Sequence, residues 1–323
     1  LQLHHDIVFL EKSYQGSFRN SNKNDHYGLT RKSLLDYKKM SIGIYSFDNL
    51  NKKFKRFIYS LRFLTKMGLQ KNKPYIVIFF SFQSLKYFNP LVLINLKKNG
   101  YKCLAILSDG AWYGNKVITQ KYAECFNFVS CWDDPLFPDI NNCKVIRGSF
   151  SPFPKSIHCS PSYKRNLDIS FVGKVKGRPE REKFLNYVKG SSFKFAIYTE
   201  KDGFITTNEY YKIAKNSKVI INNSQSKNGN ETVNQVKGRV FESLLSGNLL
   251  FENKNNITSH FFIPGKHYIE YNNFTELTTL LKYHLEHFDT VGYKIAMNGH
   301  LLATAIFTGS KYWKIILSEI ENA

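Results

Sequence analysis

Short apolar runs alternate with stretches of helical period along most of this chain, and that rhythm restricts the fold more than any other feature. In the first half the strands are read as "DIVFL" (6–10, ending at Glu11), "SIGIYSF" (41–47), "YIVIFF" (75–80), "CLAILS" (103–108) and "NFVSCW" (127–132). Helices are expected between them at 29–40, 51–67, 84–98 and 115–125. Parallel strands need a crossover, usually a helix, so the alternation predicts a parallel sheet covered on both faces. Residues 151–166, rich in Pro, Ser and Lys, lose all periodicity and read as a linker. A second series then begins: strand 167–173, helix from Pro179 to Val188, strand 193–199, helix 208–216, strand 218–222, and helices at 274–288 and 290–320. The expected fold is therefore α/β, with two doubly wound Rossmann-like domains (1–150 and 167–323) facing across a cleft at the carboxyl ends of their strands. At 323 residues the chain is long enough to give each domain its own core.

The stretch "QVKGRVFESLLSGNLLFEN" (235–253) carries the main chemical signal. Val240, Phe241, Leu244 and Leu245 recur at helical spacing, Ser246-Gly247 ends the helix, and Leu249-Leu250-Phe251 reads as a buried strand. Lys237 and Arg239 fall at the start of that helix, where the backbone dipole already concentrates positive charge. Arg239, Glu242 and Ser246 share the stripe opposite the apolar one, so the helix is expected to pack one side on the sheet and present Arg and Glu on the other. A surface ion pair would explain that stripe equally well.

A second junction, "FVGKVKGRPEREKF" (171–184), joins a strand to a helix with Pro179 at its first position. Gly173 and Gly177 permit a tight turn, and Lys174, Lys176, Arg178 and Arg181 crowd it. Free amides and cations at such a junction suit an anion, although the stretch is neither a Walker loop nor G-x-G-x-x-G. Two overloaded helix starts on one sheet edge would be neutralised together by a diphosphate. Glu242, one turn deeper, could then accept hydrogen bonds from ribose hydroxyls.

"LDISFVGKVKGR", "SKVIINNS", "KGRVFESLLSGNLLFEN", "FFIPGKHYIEYNNFTELTTLLKYHLEH" and "YKIAMNGH" follow one another in the order and spacing of one family. In these blocks, from about 167 to 300, the chain resembles group-1 glycosyltransferases of the spore-maturation-protein type, which have the two-domain GT-B fold; the first domain resembles them in architecture only. The resemblance implies metal-independent sugar transfer from a nucleotide-activated donor, expected to be a UDP-sugar, in the interdomain cleft. It implies phosphate contacts by Lys237 and Arg239, with Glu242 on the ribose; Gly173, Lys174, Arg178 and Asn222 are the further candidates for the donor site. Many relatives carry E-x7-E; its second Glu corresponds to Glu242, but the first falls on Asn234. That departure leaves the handling of the donor sugar, and with it a retaining outcome, open.

If the reaction inverts the anomeric centre, a base must take the acceptor proton. Glu11 and Asp109 are the candidates, both at carboxyl ends of strands; Asp109 in "LSDGAW" also suits an ordinary Asp-Gly turn. Asp133 and Asp134 in "CWDDP" come next, without the spacing of a D-x-D metal motif. His284 and His287 lie three apart on a helix with no evident third ligand, so no metal site is expected. The five cysteines are odd in number and irregularly spaced, which fits neither a disulfide frame nor a zinc site and suggests a reducing cytoplasm. Neither a signal peptide pattern nor a membrane-length apolar run is present.

A formal charge of +21 points to a polyanionic partner, beyond what a Lys-biased genome accounts for. Residues 51–100 hold eleven Lys or Arg and no acid. Within them, helix 51–67 sets Lys55, Arg56, Arg62 and Lys66 with Phe63 opposite an apolar face, which suits an acidic membrane surface or a phosphate backbone. Two classes of function follow. One is a glycosyltransferase, at the inner face of the membrane acting on a surface glycan or lipid-linked saccharide, or acting on a hydroxylated base in DNA. The other is a non-catalytic polyanion-binding protein on the same fold.

Overall fold

A computed structural model describes residues 7–12, 42–47, 76–80, 90–107, 122–147, 153–203, 205–224, 226–228 and 231–323. The chain divides into two compact units, one of 1–15, 34–149 and 312–323, the other of 16–33 and 150–311. The basic helix expected at 51–67 and the candidate base Asp109 lie outside the described residues.

The first unit holds six parallel strands: β1 (Ile7–Lys12), β2 (Ile42–Phe47), β3 (Ile76–Phe80), β4 (Lys102–Leu107), β5 (Phe128–Cys131) and β6 (Lys144–Arg147), in the order β2-β1-β3-β4-β5-β6. The sequence reading finds the first five and misses β6, whose Lys144 and Arg147 leave only two apolar residues. β4 is buried on both faces. Helix α1 (Pro90–Lys98) sets Val92, Leu93 and Leu96 in one core with Cys103, Ala105, Leu107, Val129 and Cys131. The closing helix of the chain, Gly309–Glu321, completes this unit from Tyr312 onward. Tyr312, Trp313 and Ile316 are fully buried, the Tyr312 hydroxyl bonds to Ser130 at 3.2 Å, and Lys144 pairs with Glu319. The sequence reading places this segment in the second domain, within one helix from 290 to 320. The structure breaks that helix into Tyr293–Ile306 and Gly309–Glu321, because Phe307 turns out of helical geometry to pack on Phe241, Phe261 and Phe262.

In the second unit β7 (Leu167–Val172), β8 (Phe195–Tyr198), β9 (Ser217–Asn222), β12 (Leu249–Asn253) and β13 (Ile269–Tyr271) form a parallel sheet ordered β13-β12-β9-β7-β8. A two-stranded hairpin, β10 (Ser226–Asn228) and β11 (Glu231–Val233), interrupts the path from β9. The helices that concern the site are α2 (Pro179–Lys189), α3 (Thr207–Asn216), α4 (Gly238–Leu245), α6 (Phe274–Glu286) and α7 (Tyr293–Ile306), α5 being the single turn Asn256–Ser259. β8 lies on one side of β7 and β9 on the other, so the winding reverses at the β7/β9 boundary, where open sheets of this kind bind ligands.

The segment expected to be a linker packs on this second unit. Phe153 and Ile157 are buried, and Cys159 N–H donates to Leu245 O at 3.0 Å. The Arg165 guanidinium donates to Ser217 O at 2.7 Å and to Ser246 O at 2.6 Å. Low periodicity here reflects an extended segment held by backbone contacts rather than a loose tether. Among the described residues, no helix is long and apolar enough to cross a membrane.

Candidate functional site

Helix starts in the second unit are of two kinds. α3 begins with a full capping box: Glu209 N–H donates to the Thr206 hydroxyl at 3.2 Å, and Thr206 N–H donates to the Glu209 carboxylate at 2.7 Å. Asn273 likewise accepts from Glu276 N–H at 3.0 Å to start α6. α4 has no side-chain cap and no acid in its first turn; Lys237 is the N-cap residue and Arg239 follows. The fold caps α3 and α6 but leaves α4, like α2 and α7, without a side-chain cap, and each cation at the α4 start costs roughly 0.3–1 kcal/mol.

Arg239 reaches from α4 across the β7/β9 boundary. Its Nη1 donates to Asn222 Oδ1 at 3.2 Å, its Nη2 donates to Val172 O, and its guanidinium carbon stands 5.3 Å from the Phe171 ring centre. Gly173 makes room for it: a Cβ there would lie 2.9 Å from Nη2. Arg181, on the first turn of α2, donates to Lys174 O and Asn223 O, both at 3.0 Å, and stands 5.9 Å from the same Phe171 ring. Burial, then the charges of Arg239 and Arg178, pull the Arg181 pKa down to about 9. Burial and the Arg239 charge also lower that of Arg178. Arg239 and Arg181 donate to uncharged oxygens, and the charges of Arg239 and Arg178 work against that of Arg181, offset in part by the buried Glu252.

One buried acid senses this cluster. Glu252, at the carboxyl end of β12, is fully buried, and burial lifts its pKa to about 7 against hydrogen bonds from Ser224 and Asn222 and the charge of Arg239. The sequence reading passes over it because it closes an apolar strand. Beside the cluster a cavity of about 350 Å³ opens between Phe171, Arg181, Phe184, Asn222, Tyr271 and Phe274.

Two expectations are corrected here. The amides of the 173–177 turn are not free: Val175 N–H and Lys176 N–H donate to the Glu200 carboxylate at 2.8 and 2.5 Å. A carboxylate from after β8 thus already occupies that backbone anion site, and Lys174 and Lys176 stand exposed beside it. The Val175 amide bond chiefly holds the Glu200 pKa below its ordinary value of 4.5. The grip is therefore present above that value and lost as pH falls through the lowered one. Nitrogen-15 spectra should show the Val175 and Lys176 amides moving together at a pH under 4.5. A midpoint at or above the ordinary value would refute the contact.

The second correction concerns Glu242. It faces no solvent: its exposure is 1%, and its carboxylate accepts the Tyr210 hydroxyl at 2.9 Å. Helical periodicity shows α4 one apolar face, on which α7 packs through Gly299 and Leu244; the opposite stripe is covered too, by Tyr210 on Glu242 and by Ile157 O, which accepts from the Ser246 hydroxyl at 3.3 Å. Ser246 is buried as well.

Of the residues expected at the donor site, Gly173, Arg178, Asn222 and Arg239 gather at the β7/β9 boundary, Lys237 is half-buried at the α4 start, Lys174 is exposed beside the loop, and Glu242 is enclosed. Glu11 lies near the carboxyl end of β1, its backbone in register with Ser46. Asp134 accepts from Leu136 N–H at 2.9 Å, and Cys131 donates to Asp133 at 3.4 Å, so both acids close a turn. Burial raises the Asp134 pKa. His284 is buried edge-on to Phe251, and His287 stacks on Tyr283. Among the described residues, no group of three or more His, Cys, Asp or Glu side chains could hold a metal ion. Asn234, at the place of the absent first Glu, donates to Asn256 Oδ1 at 3.1 Å.

Two parallel doubly wound sheets, the second with its cations at the winding reversal, define a fold class: this is the GT-B architecture of glycosyltransferases. Residues 166–312 match a family model described as "Glycosyl transferase-like". Alr3699/HepE of Anabaena, solved in complex with UDP and glucose, superposes with a TM-score of 0.61 at 11% identity, over 99% of this chain and 100% of that one. AviGT4, a glycosyltransferase involved in avilamycin A biosynthesis, gives a TM-score of 0.59 at 10% identity over 98% and 96%. The sucrose-phosphate synthase of Thermosynechococcus elongatus gives 0.57 at 9% over 98% and 99%. No curated protein matches the sequence. At these identities the likeness is one of fold.

Proposed function

We propose that this chain is a glycosyltransferase that takes its sugar from a nucleoside-diphosphate sugar, a UDP-sugar first, and that the second unit binds the donor. The observation that carries the reading is the Arg178, Arg181 and Arg239 cluster, which lies at the β7/β9 boundary and whose charges repel one another. A bound diphosphate would offset that repulsion. The match of 166–312 to a glycosyltransferase family model supports the same reading.

In this proposal Arg239, Lys237, Arg178 and Lys174 contact the diphosphate, and the cavity between Phe171 and Phe274 receives an uncharged part of the donor. Ribose contact by Glu242 belongs to the proposal only with a movement of Tyr210 that uncovers its carboxylate. As the bond from the anomeric carbon to the phosphate oxygen breaks, negative charge grows on the departing diphosphate. Fixed cations stabilise it where the charge develops, a task that divalent metals perform elsewhere. The acceptor hydroxyl attacks the anomeric carbon; in an inverting reaction Asp109 or Glu11 takes its proton. The acceptor is a surface glycan or lipid-linked saccharide. The net charge of +21 favours an anionic one and supports DNA as the second reading.

A thermal-shift screen against UDP-, GDP-, ADP- and CMP-sugars tests this. One donor should stabilise the chain, by about 2.7 kcal/mol at a hundred times its Kd. Hydrolysis or transfer of that donor should survive EDTA. Indifference to every donor, with salt-sensitive DNA binding, would establish a polyanion-binding protein instead.

A further inference from the structure

We infer that Glu252 is a positioning residue of the donor site: it fixes the side-chain amide of Asn222, and the fixed amide oxygen holds the Arg239 guanidinium in place for the diphosphate. This rests on the donor-site reading above. Glu252 and Asn222 are register partners on adjacent strands, β12 and β9, so their side chains emerge side by side at the carboxyl edge. Both are buried, with exposures of 0% and 1%.

The hydrogen bonds run in one direction. Asn222 Nδ2 donates to Glu252 Oε2 at 2.7 Å and to the Ser224 hydroxyl at 3.0 Å. Glu252 Oε1 accepts Ser224 N–H at 3.0 Å. Ionised at a pH above its raised pKa, the carboxylate accepts only, so it selects the nitrogen end of the amide. That turns Asn222 Oδ1 toward Arg239 Nη1, at 3.2 Å. With the amide reversed, its NH2 would confront the guanidinium, donor against donor. The strand end itself is held, since the Tyr271 hydroxyl donates to Asn222 O at 2.9 Å.

A buried carboxylate costs several kcal/mol to desolvate unless its partners offset the loss. A purely structural role at this spot would be served more cheaply by an apolar residue, as at Leu249 to Phe251 before it. Orienting a neutral amide toward a cation is a task that needs the acid.

The test uses the full chain at a pH well above the Glu252 titration, with inorganic pyrophosphate and UDP-glucose each titrated calorimetrically. Glu252→Gln replaces half of the acceptor with a donor and should weaken both ligands about tenfold or more, the effect of one lost charged hydrogen bond. In an Arg239→Ala background the same change should add nothing. Exchanging the two groups, Asn222→Asp together with Glu252→Gln, returns a carboxylate to Arg239 and gives it the Gln amide as partner; most of the affinity should come back. If Glu252→Gln does not fold, Asn222→Ala cuts the same relay, leaves Ser224 on Glu252, and should show the same loss. Wild-type binding that is lost in Arg239→Ala but unchanged in a folded Glu252→Gln or Asn222→Ala overturns the positioning role alone, as does an exchange variant no better than the single one. A wild-type chain that binds neither ligand overturns the donor-site reading and this inference with it.

Discussion

Arg239→Ala should weaken UDP-glucose binding by about 10- to 100-fold, the equivalent of roughly 1.5–3 kcal/mol for one charged hydrogen-bonding group, while the chain stays folded. The argument is geometric. Arg239 ends at the place in the second sheet where the winding reverses, tethered by Asn222 Oδ1 and Val172 O, with Gly173 leaving room for it. Lys at this position should not restore binding, because a single ammonium cannot span the ends of β7 and β9 as the two Nη groups do. The loss should appear in donor affinity and in turnover together, and little in thermal stability. Unchanged affinity in Arg239→Ala would remove the cation cluster from the donor site.

Gly247→Ala should cost on the order of 3 kcal/mol or more, a large share of the 5–15 kcal/mol that domains possess. Gly247 has φ +69°, and an added Cβ would lie 2.4 Å from Cys159 O, 2.5 Å from Pro161 N and 2.8 Å from Ser160 C. All three are backbone atoms, so no side chain can turn aside. The segment they belong to is itself held, by Arg165 on Ser246 O and Ser217 O. Gly203→Ala supplies the comparison: φ is +82° but nothing lies within 4 Å, so only the left-handed backbone cost of about 1–2 kcal/mol applies. Urea unfolding of the two variants separates them. Equal losses would mean that residues 159–161 do not press on the α4–β12 turn.

Five strands of the first unit and four of the second are legible because each is an apolar run bounded by turn residues, and that pattern survives without knowledge of neighbours. β6 is not, since Lys144 and Arg147 leave it only two apolar residues, and β10, β11 and β13 have only three residues each, too few for a period to show. The same limit applies to helix faces. Periodicity marks Val240, Phe241, Leu244 and Leu245 as buried, but it cannot show that Tyr210 of α3 lies against the opposite stripe, so Glu242 is read as open to a ligand and found enclosed. Glu200 was invisible for a related reason: nothing in "YTEKDG" indicates that its carboxylate closes a turn 25 residues earlier.

The order of strands and helices, the glycines at their junctions and the surplus of cations at two helix starts were fixed by local composition, and a linear reading recovers them. Which acid lies against which amide, and which arginine spans which pair of strands, was decided by the sheet alone. A hydrogen bond is made over about 3 Å, whereas Val172 and Arg239 stand 67 residues apart along the chain; only the parallel pairing of β7, β9 and β12 brings such groups within reach.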